Sequence, residues 1–432
     1  MDFGKNAHKV TTAVEAIGHI KDNDNVVFSH AATVPQETIK ALLDNSKNYK
    51  NVHIIHMLGL GEGRYALPEY VENFRHNAIF VGGNTRKAVE EDRADYTPCF
   101  FYQVPSLFTN GSIDVDVAVV QVSAPDENGY CSFGLSCDYT KAAAENAKIV
   151  IAEVNDRMPY VYGDNFIHLD KIDYIIPCSY PLYEIKQGEI GDVEKEIGRH
   201  CASLIDDGDT LQLGIGSIPD AVLLFLQDKK DLGIHTEMFS DGVLELVKKG
   251  LVNGSKKTLH PGKMISTFLM GTKALYDFVD HNKDVELYPV NYVNDPVTIM
   301  KNDNMISINS CIEVDLMGQV ASESIGLRQF SGTGGQVDYV RGVSMAKNGK
   351  SIIAIPSTAA GGKVSRIVPF LKEGTAVTTT RNDVDYIVTE YGIAHLKGKT
   401  LKARAKALIA IAHPDHRAML EEEYKKRFPK EA

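Results

Sequence analysis

The chain has 432 residues, 35 glycines, no tryptophan and a formal charge of −11 at pH 7. This length is enough for two large domains or three small ones, and the composition is typical of a globular α/β protein. The acidic balance disfavours general binding to nucleic acid or anionic membranes, so an anionic ligand needs a local basic or amide-rich pocket.

The cysteines and the N-terminal segment indicate a cytoplasmic protein with reduced thiols. Six cysteines are scattered singly and form no CxxC pair. The first 22 residues contain no apolar stretch of signal-peptide length, and no apolar run has the length of a membrane span. We therefore expect a cytoplasmic location, and no membrane or nucleic-acid partner.

The first predicted strand and helix recur in the second half of the chain. Residues 25–43, "NVVFSHAATVPQETIKALL", and 209–227, "DTLQLGIGSIPDAVLLFLQ", align without a gap. Each is predicted to be an apolar strand, a turn of small residues, a proline and an amphipathic helix. Further segments pair in the same order, among them "NAKIVIAEV" with "NGKSIIAIP" and "IDYIIP" with "VDYIVT".

The repeated order predicts two homologous open α/β domains. Strand-length and helix-length segments alternate within each half, which is typical of mostly parallel sheets covered by helices. We place the N-terminal domain at residues 1–190 and the C-terminal domain at 191–432, with the junction in the polar segment 181–198. Ligands of such sheets bind at the carboxyl ends of strands, so we expect the active site in the cleft between the domains.

Two histidine pairs do not indicate a metal site. His53 and His56 lie in a predicted strand, where this spacing directs their side chains to opposite faces. His413 and His416 flank Pro414 and have no evident third ligand nearby. We therefore predict no metal site.

A glycine turn follows the first strand of the second half. In "QLGIGSIPDAV", Gly214 and Gly216 let a ligand approach the backbone, and Ser217 can cap the helix. Free N–H groups at a helix start bind anions or a developing oxyanion. The segment lacks the third glycine of the dinucleotide motif and the Gly-Lys-Ser/Thr of a phosphate loop, so a purely structural turn is an equal alternative.

Glu237, in "GIHTEMFSDG", is predicted at the end of a short strand, followed at once by turn-forming residues. A carboxylate there can be a nucleophile, a general base or an ion-pair partner, and spacing does not decide among them. The aligned segment of the first half has no glutamate, which indicates that one half has specialised.

Two further glycine loops are candidate ligand sites. The loop at 330–342, "FSGTGGQVDYVRG", includes Gly335, and the loop at 357–369, "STAAGGKVSRIVP", places Lys363 and Arg366 directly after two glycines. A basic pair on a glycine loop can hold phosphate groups. A solvated surface loop is the alternative interpretation of each.

These motifs together resemble the acetyl-CoA hydrolase/transferase family, a branch of the family I CoA-transferases. The resemblance extends over nearly the whole chain, and the segments that carry it are "VPSLF", "DENGYCSFG", "AEVNDRMPYVYGD", "GRHCASLIDDGDTLQLGIGSIPDAV", "GIHTEMFSDGV", "FLMGT", "FSGTGGQVDYVRG" and "VTTTRNDVDYIVTEYGIAHLKGK". A duplicated two-domain architecture is also what this family shows.

The resemblance implies a catalytic glutamate and a set of CoA contacts. It implies that Glu237 is the nucleophile. The residues it implies for CoA binding are Gly214, Ile215, Gly216, Ser217, Ile218, Ile312, Gly335 and Lys363.

The implied activity is transfer of CoA between acetyl-CoA or butyryl-CoA and a carboxylate such as 4-hydroxybutyrate, as in butyrate metabolism and fermentation. The expected course is a ping-pong exchange through a glutamyl-CoA thioester, with CoA as substrate and no tightly bound cofactor. Alternatives are butyryl-CoA:acetate transfer, acyl-CoA hydrolysis and a non-catalytic CoA or nucleotide sensor. The resemblance also implies a homodimer or higher homo-oligomer.

Overall fold

The structure is a computed structural model that describes residues 1–431. The chain divides into two compact units, each built from two stretches of sequence. The first unit comprises residues 1–186 and 264–293, and the second comprises 187–263 and the chain from Asn294 onward. None of the helices within residues 1–431 has the length and apolar content needed to cross a membrane.

Ten strands precede residue 187, and they are β1 (Asn25–Phe28), β2 (Val52–His56), β3 (Phe74–Ala78), β4 (Ala94–Tyr96), β5 (Val117–Val122), β6 (Tyr130–Ser132), β7 (Ile149–Asn155), β8 (Tyr162–Gly163), β9 (Phe166–His168) and β10 (Tyr174–Cys178). The following strands to residue 293 are β11 (Thr210–Leu213), β12 (Gly233–Ile234), β13 (Met238–Phe239), β14 (Met264–Ser266), β15 (Phe268–Leu269) and β16 (Val285–Leu287). The remaining strands are β17 (Met305–Ser310), β18 (Glu313–Asp315), β19 (Val320–Ala321), β20 (Ser324–Ile325), β21 (Arg328–Gln329), β22 (Lys350–Ala354), β23 (Thr358–Ala359), β24 (Val364–Ser365), β25 (Ile367–Val368), β26 (Tyr386–Thr389) and β27 (Gly392–His395).

The α-helices connect these strands and pack on the sheets. In chain order they are α1 (Ala13–Ile17), α2 (Gln36–Asp44), α3 (Arg86–Glu90), α4 (Val104–Thr109), α5 (Thr140–Asn146), α6 (Asp192–Ala202), α7 (Ser217–Leu224), α8 (Asp241–Lys248), α9 (Lys273–Val279), α10 (Val290–Val293), α11 (Pro296–Ile299), α12 (Gln336–Met345), α13 (Leu401–Ala410) and α14 (Pro414–Arg427).

The first unit is built on a seven-stranded sheet in the order β10-β7-β5-β1-β2-β3-β4. All its pairings are parallel; Val26, for example, lies between Ile54 and Val117. Every residue of the interior strand β5 is buried, as expected for an apolar parallel strand with both faces covered.

The second unit has a six-stranded sheet in the order β12-β11-β17-β22-β26-β27. Its pairings are parallel except for the hairpin of β26 and β27. Strands β12, β11, β17, β22 and β26 correspond in order to β2, β1, β5, β7 and β10 of the first sheet. Two homologous α/β domains with mostly parallel sheets are therefore confirmed.

The spatial division into two units differs from the predicted domain boundary between residues 190 and 191, because the segment 264–293 belongs to the first unit. This segment follows β12 in the sequence but does not extend the second sheet. Its strands β14 and β16 instead pair in parallel with each other, and β16 pairs with β8 of the first unit. These hydrogen bonds place the segment in the first unit, which an alignment of repeats does not reveal.

Candidate active site

The carboxyl ends of the parallel strands in the second sheet meet at one edge. The turn at Gly214 follows β11, Ile312 lies two residues after β17, and Lys363 lies on the hairpin that follows β22. Gly335 immediately precedes α12, the helix that leads back to β22. The sheet order therefore gathers the candidate residues of the second unit at the edge where open α/β sheets bind ligands.

Glu237 lies in a bend between β12 and β13, so the prediction that it ends a short strand was wrong in detail. Strand β12 stops at Ile234, because only two of its residues pair with β11. The Glu237 side chain is half-buried between buried neighbours in the sequence. Glu237 is therefore the one partly exposed residue within an otherwise buried segment, residues 232–239.

Thr236 fixes this bend to the end of β11. Its hydroxyl Oγ1 lies 3.1 Å from the carbonyl oxygen of Leu213 and 2.9 Å from that of Met238, and it accepts from the N–H of Leu213 at 3.3 Å. Thr236 is almost fully buried. The hydroxyl therefore joins the residue before Glu237 to the residue before the glycine turn.

Asn294 holds the carboxylate of Glu237. Its amide Nδ2 donates to Glu237 Oε2 at 2.8 Å and lies 3.4 Å from Asp338 Oδ2. Asn294 is fully buried, just after α10. A neutral donor on one oxygen orients the carboxylate without neutralising its charge.

Gly335 provides the space that the Glu237 carboxylate occupies. A Cβ atom at this position would lie 2.0 Å from Glu237 Oε2 and 2.4 Å from Asn294 Nδ2. No other amino acid fits there without displacing the carboxylate. The structure thus brings Gly335 and Glu237 together, as a shared site requires.

Tyr339 lies one turn further along α12 and is fully buried. Burial raises the pKa of its phenol well above the ordinary value, and the carboxylates of Glu237 and Asp338 add to the shift. The phenol therefore stays neutral beside the Glu237 carboxylate.

The glycine turn has a conformation that only glycine adopts readily. Gly216 has φ 112° and ψ −178° and is the N-cap of α7. Ser217 is the first helical residue, so the prediction that its side chain caps the helix was wrong; within the described chain no side chain caps α7. Pro219 lies in the first turn as predicted. The first N–H groups of α7 have no partner inside the helix and are available to an anion.

The corresponding helix start in the first unit is closed by a carboxylate of the chain itself. Glu153 on β7 accepts from the N–H of Thr38 at 2.6 Å and from the N–H of Glu37 at 3.4 Å, at the start of α2. It also accepts from the hydroxyl of Tyr180. The alignment of the repeats places Ile355 in the second unit where the first has Glu153. A side chain at position 355 therefore cannot close the start of α7 in this way.

For Ile312 and Lys363, the order of the strands is the observation that places them at the carboxyl edge of the second sheet. Ile312 lies between two strands, because β17 ends at Ser310 and β18 begins at Glu313. The backbone N–H of Ile312 donates to the carbonyl of Ala321 at 2.8 Å. Lys363 is exposed on the hairpin of β23 and β24.

Comparison with known proteins supports a family assignment for this arrangement. Family models for the acetyl-CoA hydrolase/transferase N-terminal and C-terminal domains match residues 5–178 and 271–424. The chain belongs to the acetyl-CoA hydrolase/transferase family.

Several known proteins match the chain over almost its full length. It is 63% identical to the 4-hydroxybutyrate coenzyme A transferase of Clostridium kluyveri, over 97% of this chain and 98% of that one. It is 47% identical to the succinyl-CoA:acetate/propanoyl-CoA:succinate CoA transferase of Fasciola hepatica, over 94% and 86%. The crystal structure of 4-hydroxybutyrate CoA-transferase from Porphyromonas gingivalis is similar with a TM-score of 0.84, at 49% identity, over 97% and 98%.

In the first unit, the repeat aligns Ser29 and His30 with the start of the glycine turn, and His30 has a buried contact with an aspartate there. His30 Nδ1 lies 2.6 Å from Asp138 Oδ2, and the His30 ring packs on Phe268 at 4.6 Å between centroids. The neighbouring Ser29 hydroxyl donates to the carbonyl of Thr33. In the loop at residues 82–86, "GGNTR", also in the first unit, the side-chain amide of Asn84 donates to the carbonyls of Gly59 and Gly61.

The sequence did not single out Thr236 or Asn294. Thr236 is next to Glu237, and a threonine beside a candidate nucleophile was a usable sign of a residue that positions it. Asn294 lies 57 residues from Glu237, in no glycine loop, and only the folded chain brings the two together.

Proposed function

We propose that this protein is a CoA-transferase that moves CoA between a short-chain acyl-CoA and a free carboxylate such as 4-hydroxybutyrate. The observation that carries the proposal is the half-buried carboxylate of Glu237, which is oriented by Asn294 and packed against Gly335. The three relatives described above are named as CoA transferases, and these names support the reaction class. Acetyl-CoA or butyryl-CoA is the expected acyl donor.

The first step is attack by Glu237 on the acyl-CoA thioester. The proposed attacking oxygen, Oε1, forms a bond to the thioester carbonyl carbon while Asn294 orients the carboxylate through Oε2. The C–S bond then breaks, and CoA leaves as the thiolate. An acyl-glutamyl anhydride remains. Backbone N–H groups of the glycine loops are candidate donors to the oxyanion, and one such donor contributes about 3 to 4 kcal/mol in other enzymes.

In the second step, the CoA thiolate attacks the glutamyl carbonyl carbon of the anhydride. The negative charge of this tetrahedral intermediate develops on Oε2, 2.8 Å from the amide nitrogen of Asn294 in the resting structure. The first acyl group leaves as a carboxylate, and Glu237 is now joined to CoA as a thioester. Asn294 therefore has two proposed roles: it orients the Glu237 carboxylate in the first step and donates a hydrogen bond to the oxyanion in the second.

The second half-reaction runs the same steps in reverse with a new carboxylate. The carboxylate attacks the glutamyl thioester, CoA thiolate leaves, and the thiolate then attacks the carbonyl carbon derived from the new acid. Glu237 is released and a new acyl-CoA forms. The energy of the thioester bond is conserved throughout, so the proposed cycle uses neither ATP nor a tightly bound cofactor.

CoA contacts are proposed along the same sheet edge. Residues 214–218, Gly335, Ile312 and Lys363 are the candidates, of which the turn offers N–H groups and Lys363 a cation. Binding energy from the nucleotide end of CoA, far from the reacting carbonyl, can drive the attack of a weak carboxylate nucleophile.

The decisive experiment is trapping of the intermediate. The protein is incubated with acetyl-CoA or butyryl-CoA, and its intact mass is measured before and after hydroxylamine treatment, followed by peptide mapping. We expect a CoA adduct on Glu237 that hydroxylamine removes, and no adduct on the Glu237→Gln variant. An adduct mapped to another residue overturns the assignment, and binding of CoA without any adduct indicates a sensor.

Acceptor dependence separates transfer from hydrolysis. We expect loss of acyl-CoA to require acetate or 4-hydroxybutyrate, because a hydrolase releases the acyl group to water at the same rate without them. The acceptor series also separates 4-hydroxybutyrate transfer from butyryl-CoA:acetate transfer. A homo-oligomer, a cytoplasmic location and independence from metal ions stay predictions.

A further inference from the structure

The hairpin that carries Lys363 has an unusual backbone at its tip. Strands β23 and β24 pair Thr358 with Ser365 and Ala359 with Val364. Between them, three successive residues, Ala360, Gly361 and Gly362, have φ values of 52°, 65° and 87°. Left-handed conformations are unfavourable for alanine, and glycines add backbone freedom. The orientation of the next residue, Lys363, therefore depends on contacts outside the hairpin.

His416 supplies such a contact at the tip. Its ring nitrogen Nε2 lies 3.0 Å from the carbonyl oxygen of Gly362. A carbonyl oxygen only accepts, so Nε2 carries the proton and donates. His416 is on the first turn of α14, far from the hairpin in sequence, and its ring packs against that of His413 at 5.9 Å between centroids. The peptide group before Lys363 is thus fixed by the C-terminal helix.

The base of the hairpin is fixed by Glu390. Its carboxylate accepts from the N–H of Ser357 at 2.8 Å and from the Ser357 hydroxyl at 2.5 Å. The carbonyl of Ser357 in turn accepts from the N–H of Arg366 at 2.9 Å. With the base already fixed, the His416 contact controls the tip.

We propose that His416 is a positioning residue for CoA: it fixes the tip of the hairpin so that Lys363 meets the phosphate groups of the substrate. This rests on the proposed function, in which Lys363 is a CoA contact. His416 is placed to affect the affinity for acyl-CoA and not the bond-making steps at Glu237, because its side-chain hydrogen bond is to the hairpin. A residue of the C-terminal helix thereby sets the KM of the enzyme.

The test compares steady-state kinetics of His416→Ala, His416→Gln, Lys363→Ala and the double variant His416→Ala/Lys363→Ala. We expect His416→Ala to raise the KM for acetyl-CoA by about threefold to tenfold, the effect of one lost hydrogen bond, with little change in kcat. The glutamine variant retains an N–H donor and is expected to recover most of the affinity. Lys425→Ala, an exposed change on the same helix, is the matched control and leaves KM unchanged.

The double variant shows whether His416 acts through Lys363. We expect its KM to match that of Lys363→Ala, because a positioning residue has no effect once the positioned group is removed. Additive effects, or an effect of His416→Ala on thermal stability and kcat without a change in KM, overturn the inference. If Lys363→Ala itself leaves KM unchanged, the proposed CoA contact of Lys363 fails and the inference fails with it. If only His416→Ala leaves KM unchanged, the inference fails alone and the CoA contact stands.

Discussion

Asn294 and Glu237 form a hydrogen bond of 2.8 Å between an amide nitrogen and a carboxylate oxygen, at the edge of the second sheet. Asn294 is fully buried and its position follows a short helix, so its amide has little freedom to turn away. The bond fixes the orientation of the Glu237 carboxylate. A weak nucleophile gains most from such an orientation, because misplacement of the attacking atom is costly.

Replacement of Asn294 by alanine is expected to lower kcat by about tenfold to hundredfold, since one donor to a developing oxyanion is lost. The KM for acyl-CoA is expected to change little, because CoA has no predicted contact with the amide. Asn294→Asp is the matched variant: it keeps the size of the side chain but adds a third carboxylate beside those of Glu237 and Asp338, and is expected to be less active than the alanine variant. Equal kcat values for the parent and Asn294→Ala, measured at saturating substrate, contradict the assigned role.

Gly335→Ala is expected to abolish most activity without unfolding the protein. Its methyl carbon would lie 2.0 Å from Glu237 Oε2, so the carboxylate has to move from its place beside Asn294. We expect kcat to fall by about a hundredfold or more, as for other displacements of about 1 Å at a reacting atom. The measurements are kcat with acetyl-CoA and the midpoint of thermal unfolding.

Gly188→Ala is the control for that substitution. A Cβ atom at Gly188 has no neighbour within 4 Å, and this glycine does not have a positive φ. It lies in the same unit as Gly335, so an equal loss of activity in both variants points to a general effect of alanine and away from the contact with Glu237.

The sequence predicted the duplicated sheets because each repeat carries its own strand and helix periodicity, and five strands appear in the same spatial order in both units. It could not predict where 264–293 packs, since this depends on the pairing of β16 with β8, more than a hundred residues away. Likewise, Glu237 and Gly335 were identified from motifs, whereas their contact and the role of Asn294 arise only from tertiary packing.

Thr236→Val is expected to lower kcat by about tenfold, because the bend before Glu237 loses its hydrogen bonds to Leu213 and Met238 and a poorly positioned nucleophile is slower. Loss of a buried hydroxyl bond also costs about 1 kcal/mol of stability. Thr236→Ser keeps the hydroxyl and is expected to have a kcat near that of the parent. A serine variant as slow as the valine variant assigns the effect to the lost methyl group and its packing, not to the hydrogen bonds.

Glu153 in the first unit gives a prediction about pH. Burial raises the pKa of this carboxyl group, and the hydrogen bonds from Tyr180 and Thr38 offset part of that shift. A carboxyl group with a raised folded-state pKa favours the folded protein most when it is protonated. Its contribution to the free energy of unfolding therefore falls as the pH rises from the ordinary glutamate pKa of 4.5 to the raised pKa, and then stays constant.

The Glu153→Gln variant has no such titration. We expect the difference in the free energy of unfolding, parent minus variant, to decrease as the pH rises above 4.5 and then to level off. Glu153→Ala is expected to be less stable than both at every pH, by about 2 to 4 kcal/mol, because the N–H of Thr38 and the Tyr180 hydroxyl lose their buried acceptor. Denaturant titrations across the pH series measure both effects. A parent-minus-glutamine difference that instead grows with pH shows that the hydrogen bonds outweigh burial and that the folded protein prefers the ionised form.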